Sequence, residues 1–205
     1  ILFLSHYFPP EVNAPATRTY EHCRQWVRDG HQVTVVTCAP NHPQGKVYEG
    51  YRNRIYQRET KDGINIVRVW TFVTANEGFL KRTLNYISYM CSACIVSSFL
   101  PKADIVLSTS PQFFNGLAGY FVSKLRGIPW VLEIRDLWPE SIVAVGAIKS
   151  PIIISLLEWI ERFAYRKADR IVPVTDSFKT YMLGKGIEAG KIAVVKNGVD
   201  LAQYA

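Results

Sequence analysis

Glycine is missing from the loop where a phosphate-binding turn would need it. Between the first apolar run and the first helical pattern the chain reads His6-Tyr7-Phe8-Pro9-Pro10-Glu11-Val12-Asn13-Ala14-Pro15, with three prolines and no glycine. Dinucleotide fingerprints and P-loops use glycine there so that backbone amides can approach phosphate closely. An NAD-dependent or P-loop enzyme is therefore disfavoured. Cysteine is also scarce: Cys23, Cys38, Cys91 and Cys94 are too few and too unevenly spaced for a disulfide scaffold. Cys91 and Cys94 form a C-x-x-C, but inside an apolar helical stretch, where no helix amino terminus favours the thiolate. They read as small packing residues. No secretory leader precedes the first strand, so a cytoplasmic protein is expected. Repeats, low-complexity linkers and recognisable RNA- or DNA-reading motifs are absent too, which argues against nucleic acid as the partner of a chain with net charge +7.

What is present is a composition for packing. The 205 residues are 48% hydrophobic and 13% aromatic, enough for one substantial core. Short runs rich in Val and Ile alternate with helical patterns, the signature of a parallel sheet covered on both faces. Strands are expected at Ile1–Ser5, Gln32–Thr37, Ile64–Trp70, Asp104–Thr109, Trp130–Ile134, Arg170–Val174 and Lys191–Lys196. Helices are expected near Thr17–Arg28, Phe79–Phe99, Gln112–Arg126, Pro151–Lys167 and Ser177–Leu183. Asp62-Gly63, set between two alternating runs over Ile55–Trp70, predicts a hairpin. The fold class is thus α/β, a Rossmann-like sheet of about seven strands. The chain opens directly on a strand and stops soon after Lys196-Asn197-Gly198-Val199-Asp200, so 1–200 reads as a domain of something longer and 201–205 as the start of a linker.

In open parallel sheets ligands bind beyond the carboxyl ends of the strands. The proline-stiffened first loop is a suitable frame for presenting Glu11 and Asn13, although rigid turns also serve structure alone. After Trp130–Ile134 the chain turns abruptly polar: Arg135, Asp136, Leu137, Trp138, Pro139, Glu140. A carboxylate and a guanidinium there can orient a hydroxyl and offset phosphate charge, and Trp138 offers an apolar face to a sugar or lipid. The alternative is an internal Arg135–Asp136 pair that only orders the loop. Thr175-Asp176-Ser177 ends the sixth strand in residues that also favour helix capping. Asn197-Gly198 borders the same edge.

Taken in order, the stiff first loop, the Asp62-Gly63 hairpin, Arg135-Asp136-Leu137-Trp138-Pro139, Val174-Thr175-Asp176-Ser177 and Asn197-Gly198-Val199-Asp200 resemble the amino-terminal domain of family 4 glycosyltransferases along the whole chain. Within that family the chain is similar to bacterial surface-polysaccharide enzymes, such as the L-fucosamine transferases of O-antigen and capsule assembly. The resemblance implies the amino-terminal half of a GT-B fold. The acceptor would bind here, and the nucleotide-sugar donor mainly to a carboxy-terminal domain. It implies a retaining transferase with no metal and no cofactor beyond its nucleotide-sugar co-substrate, acting on a saccharide or polyprenyl-diphosphate-linked saccharide. The family's Glu-x7-Glu segment belongs to the second domain and is absent here, so the isolated chain is expected to be inactive. Arg135 stands where many relatives place a His, which moves the reacting-centre role to Asp136. On this reading Asp136 and Arg135 are catalytic; Glu11, Asn13, Trp138 and Asp176 bind acceptor; Asn197 and Gly198 border the donor's diphosphate. The rival is a non-catalytic acceptor or membrane-docking subunit that recruits a separate donor domain.

The basic excess is localised. Residues 45–82 hold eight basic side chains against four acidic ones. Thr83–Leu100 then runs uncharged over about 18 residues, near the length of a membrane span. Asn85, Ser88, Ser92, Ser97 and Ser98 argue against a span. Two readings stay open: a core helix beside solvated charges, or a helix with one face on an anionic leaflet at the inner side of the cytoplasmic membrane.

Overall fold

The computed structural model describes residues 1–75, 78–110, 112–144, 146 and 148–198. The expected linker, 201–205, and the last two residues of the Asn-Gly-Val-Asp run lie outside these.

Seven strands form one sheet: β1 (Leu2–Leu4), β2 (Thr34–Cys38), β3 (Tyr56–Lys61), β4 (Ile64–Val69), β5 (Val106–Thr109), β6 (Trp130–Ile134) and β7 (Arg170–Pro173), in the order β3-β4-β2-β1-β5-β6-β7. Every neighbouring pair is parallel except β3 with β4. That antiparallel pair is the expected hairpin. Asp62 (φ 50°) and Gly63 (φ 76°) both take positive φ, as a tight turn between right-twisted strands requires.

Six helices connect the strands: α1 (Ala14–Arg28), α2 (Phe79–Ser98), α3 (Phe113–Arg126), α4 (Glu140–Ala144), α5 (Pro151–Lys167) and α6 (Asp176–Gly184). The period-2 alternation of each strand sends one set of side chains to each face. Leu2, Leu4, Val36, Val67, Val106, Trp130 and Leu132 pack against Tyr89, Ala93, Val122 and Tyr165 of α2, α3 and α5. Phe3, Val35, Ile64 and Ile66 pack on the other side with Cys23 and Trp26 of α1. Over β5 to β7 this second face carries half-buried Leu107, Val131 and Val172, which line a groove of about 320 Å³ with Trp26 and Val195. α3 lies close to the sheet at Gly119, where a Cβ would land on Trp130 Nε1 and Ser108 Oγ.

Three expectations need correction. α1 starts at Ala14 and not Thr17, because Pro15 fits the first turn, where its missing N–H costs no hydrogen bond. Lys191–Lys196 is not a strand of the sheet. A 3₁₀ turn at Ala189–Lys191 precedes an extended segment in which only the Ala193 and Val195 amides donate to β7, at the Ile171 and Pro173 carbonyls. Arg68, counted in the basic stretch, is 2% exposed and paired inward. It bonds Glu59 at 2.7 Å and donates to the Cys38 and Pro9 carbonyls, so its charge is absent from the surface.

α2 buries one side in the core and shows Leu80, Leu84, Cys91 and Ile95 on the other, a stripe at i, i+4, i+11 and i+15. Among the described residues no helix is long and apolar enough to cross a membrane.

Candidate functional site

The carboxyl ends of β1, β5 and β6 meet at one edge of the sheet, and the expected site residues fall into distinct groups there. The first loop is held by Glu11. It is 3% exposed, and its carboxylate accepts the amides of Asn41 and His42 (2.9 Å each) and of Phe8 (3.4 Å). Burial raises its pKa, and those amides pull it back down. With both oxygens accepting from backbone amides, Glu11 joins two loops. Asn13 likewise serves the chain. Its Oδ1 accepts from Ala16 at 2.9 Å as the N-cap of α1, while Nδ2 has no hydrogen-bond partner.

Asp176 follows β7 at the same edge of the sheet. Thr175, not Asp176, is the side-chain cap of α6, accepting from Phe178 at 3.2 Å. Asp176 is the first helical residue, solvent-exposed, and pairs with Lys196 at 2.7 Å, which lowers its pKa.

The β6 loop is organised by Ser110, a residue the sequence did not mark. Its Oγ accepts the amides of Arg135 (2.6 Å) and Asp136 (3.3 Å). No ion pair joins Arg135 to Asp136 among the described residues, and the Arg135 Nε and Nη1 atoms are buried without hydrogen-bond partners. Burial lowers the Arg135 pKa, with Glu133 opposing. Desolvation raises the Asp136 pKa against a smaller downward pull from Arg135. Trp138 stacks on Phe113 at 5.9 Å between ring centroids. Beneath Asp136 and Trp138 lies a small cavity of about 30 Å³, into which Gln112 and Glu161 also project.

Arg135, Asn197 and Gly198 do come together. They line a cavity of about 600 Å³ with Arg18, His22, Arg24 and Arg28 of α1. Its most buried arginine is Arg18, 7% exposed, whose Nη1 donates to Asn197 Oδ1 at 2.6 Å and whose Nε donates to Glu133 at 2.9 Å. Glu133 also accepts the Thr109 hydroxyl at 2.5 Å. Neither Arg18 nor Glu133 was anticipated, although a lone carboxylate inside the apolar run Trp130-Val131-Leu132-Glu133-Ile134 was a signal. A buried charge in a parallel strand needs a partner. Four arginines against Glu21, with Arg18 already paired to Glu133, leave the lining net basic, which suits an anion. No cluster of three or more His, Cys, Asp or Glu able to hold a metal occurs among the described residues.

A mostly parallel seven-stranded sheet with helices on both faces is the Rossmann-like architecture of GT-B glycosyltransferases. The chain belongs to the glycosyl transferase 4-like domain family, whose model matches residues 13–198. It is similar to the putative colanic acid biosynthesis glycosyl transferase WcaI of Escherichia coli (strain K12), 26% identical over 214 aligned residues that take in 100% of this chain and 51% of WcaI. The chain thus spans about half the length of that relative. Among solved structures, sucrose-phosphate synthase from Thermosynechococcus elongatus superposes with a TM-score of 0.69 at 12% identity, over 98% of this chain and 49% of that one. Anabaena HepE in complex with UDP-glucose superposes with a TM-score of 0.55 at 15% identity, over 99% of this chain and 45% of that one.

Proposed function

We propose that this domain is the acceptor side of a retaining glycosyltransferase. The whole protein would move a sugar from a nucleotide-sugar donor to a lipid-linked saccharide in bacterial surface-polysaccharide synthesis. The observation that carries the reading is Arg135, with two buried guanidinium nitrogens unpartnered at the rim of an arginine-lined cavity and Asp136 next to it. Arg135, Asn197 and Gly198 would border the diphosphate and offset its charge as the glycosidic bond to the donor breaks. Asp136 would hold a hydroxyl against the anomeric carbon, and Trp138 would give the acceptor an apolar face. HepE's complex with UDP-glucose supports a nucleotide-sugar donor. The relation to WcaI supports polysaccharide assembly. The retaining course, the absence of a metal requirement and the need for a carboxy-terminal domain rest on the family resemblance. Glu11 and Asn13, as placed, would act by shaping the first loop, and Asp176 would lie outside the reacting centre.

We also place the protein on the inner face of the cytoplasmic membrane. The exposed Leu80, Leu84 and Ile95 stripe beside Lys81 supports that reading.

The test is a screen of labelled nucleotide sugars with the full-length protein and a lipid-linked saccharide acceptor. Asp136→Asn should cut turnover about a hundredfold while the domain stays folded. Wild-type turnover in that variant would remove Asp136 from the reacting centre. Acceptor binding without transfer from any donor would favour the non-catalytic docking subunit.

A further inference from the structure

A second cavity on the same edge differs in character from the arginine-lined one. It measures about 250 Å³ and is walled by Tyr86 of α2, Phe114 of α3, Trp138, Ile142 of α4 and Leu157 of α5, with Arg82 as its charged member. Arg82 donates to the Tyr86 hydroxyl at 3.3 Å through Nη2, while its Nε is buried with no hydrogen-bond partner. Lys81 adjoins it, and the first turn of α2 holds no acidic residue and no side-chain cap. Two features point outward from the groove. Ile153, one turn before Leu157 on α5, is 40% exposed, and Leu156 beside it is 55% exposed. Inward, Trp138 is shared between this groove and the small cavity under Asp136.

We infer that this groove takes the diphosphate and the first prenyl units of a polyprenyl-diphosphate-linked acceptor. The inference rests on the lipid-linked acceptor reading and assigns it a place. The pairing of charge and apolar surface selects the occupant. A free sugar would leave the aromatic and aliphatic walls wetted, and a free phosphate would use Arg82 alone. A prenyl diphosphate satisfies both: its head meets the guanidinium, its first carbons cover Phe114, Ile142 and Leu157, and the rest of the tail leaves along Ile153 and Leu156 toward a bilayer. The saccharide on the far side of the diphosphate would then extend past Trp138 toward Asp136.

The experiment is calorimetric titration of the full-length protein with farnesyl diphosphate, inorganic diphosphate and farnesol. Farnesyl diphosphate is expected to bind about tenfold tighter, or more, than either half alone. Ile142→Glu and Arg82→Gln should each weaken farnesyl diphosphate by about tenfold, while inorganic diphosphate, which the arginine-lined cavity also takes, stays unchanged in Ile142→Glu. Farnesyl diphosphate binding no tighter than inorganic diphosphate, or full affinity in a folded Ile142→Glu variant, overturns the inference. Should that variant fail to fold, a diazirine-bearing farnesyl diphosphate decides with the wild-type protein: crosslinks to Phe114, Trp138, Ile142 or Leu157 support the groove, and crosslinks confined elsewhere overturn it. Failure of the transferase reading is seen separately. A wild-type protein that transfers no sugar yet binds and crosslinks farnesyl diphosphate at these residues keeps the groove and loses the enzyme.

Discussion

Arg18 and Glu133 form an ion pair at 2.8 Å with side chains only 8% and 6% exposed, although 115 residues separate them in the chain. The pair ties α1 to the end of β6. Removing one partner leaves a charge with no compensation, so Glu133→Ala is expected to cost about 3 kcal/mol in urea unfolding. The double variant Arg18→Met with Glu133→Leu should lose less than the single one, since neither charge is then stranded. A double-variant loss equal to the sum of the two single losses would mean that the pair is not coupled.

Arg135 tests the polar edge without touching the core. In full-length enzyme, Arg135→Gln should raise KM for the nucleotide sugar about tenfold, since the lost group offsets diphosphate charge in bound donor. A fall in kcat with KM unchanged would instead mean that Arg135 meets the diphosphate only as its charge develops in the transition state, and wild-type values for both would remove Arg135 from the donor site. A chelator is expected to leave turnover unchanged, and restoration of activity by added divalent cation would contradict the metal-free reading.

His6 carries an acid sensitivity. It is 4% exposed among Tyr7, Tyr86 and Tyr89, and burial, with a smaller push from His42, lowers its pKa from 6.5 to about 3 despite an opposing pull from Asn85. The unfolded chain therefore binds a proton that the folded one refuses between these values. Stability falls as pH drops below 6.5, by up to about 1.4 kcal/mol per pH unit until pH 3. Measured as the difference between wild type and His6→Phe, this slope should vanish in the variant. Parallel pH profiles would assign the imidazole an ordinary pKa.

At Gly119, α3 lies so close to the sheet that an added Cβ would meet Trp130 and Ser108. Gly119→Ala drives a methyl into the Trp130–Ser108 hydrogen bond, and overpacking of this kind costs about 1–3 kcal/mol. Gly127→Ala, in open space at the end of the same helix, separates the effects: it meets only the strain of φ 63°. Thermal melts of the two variants compare steric clash with backbone strain.

Membrane contact is read by flotation with vesicles containing anionic lipid. Retention at low salt is expected, and it should fall to background in a Leu84→Asp, Ile95→Asp double variant that keeps its native melt. No retention of the wild-type protein would remove the membrane from the reading.

The alternation of strands and helices was legible because hydrophobic period is local, and the Asp62-Gly63 hairpin was legible because positive φ has a residue signature. The segment after α6 was not, since its β character depends on two hydrogen bonds to the edge strand β7. At the site, Arg135, Asn197 and Gly198 were singled out at the ends of expected strands, and the fold brings the three to one cavity. Arg18, Ser110 and Glu133 were missed, because each acts through a partner distant in sequence. Glu11 was legible as unusual but not as spent. Nothing in its neighbours announced that the amides of Asn41 and His42 would take its oxygens.

The position of β1 in the middle of the sheet sets a timetable for the growing chain. Leu2 pairs with Thr34 on one side and with Val106 on the other, so β1 gains its second neighbour only when β5 has been made. The half built from β1 to β4 closes over shorter loops, and β5 to β7 must find a centre laid down long before. Pulse-labelled hydrogen exchange during refolding should protect β2 and β4 amides ahead of those in β6 and β7. A nascent chain stopped before Val106 would expose one side of β1 as an unpaired edge, open to the wrong strand until the rest arrives.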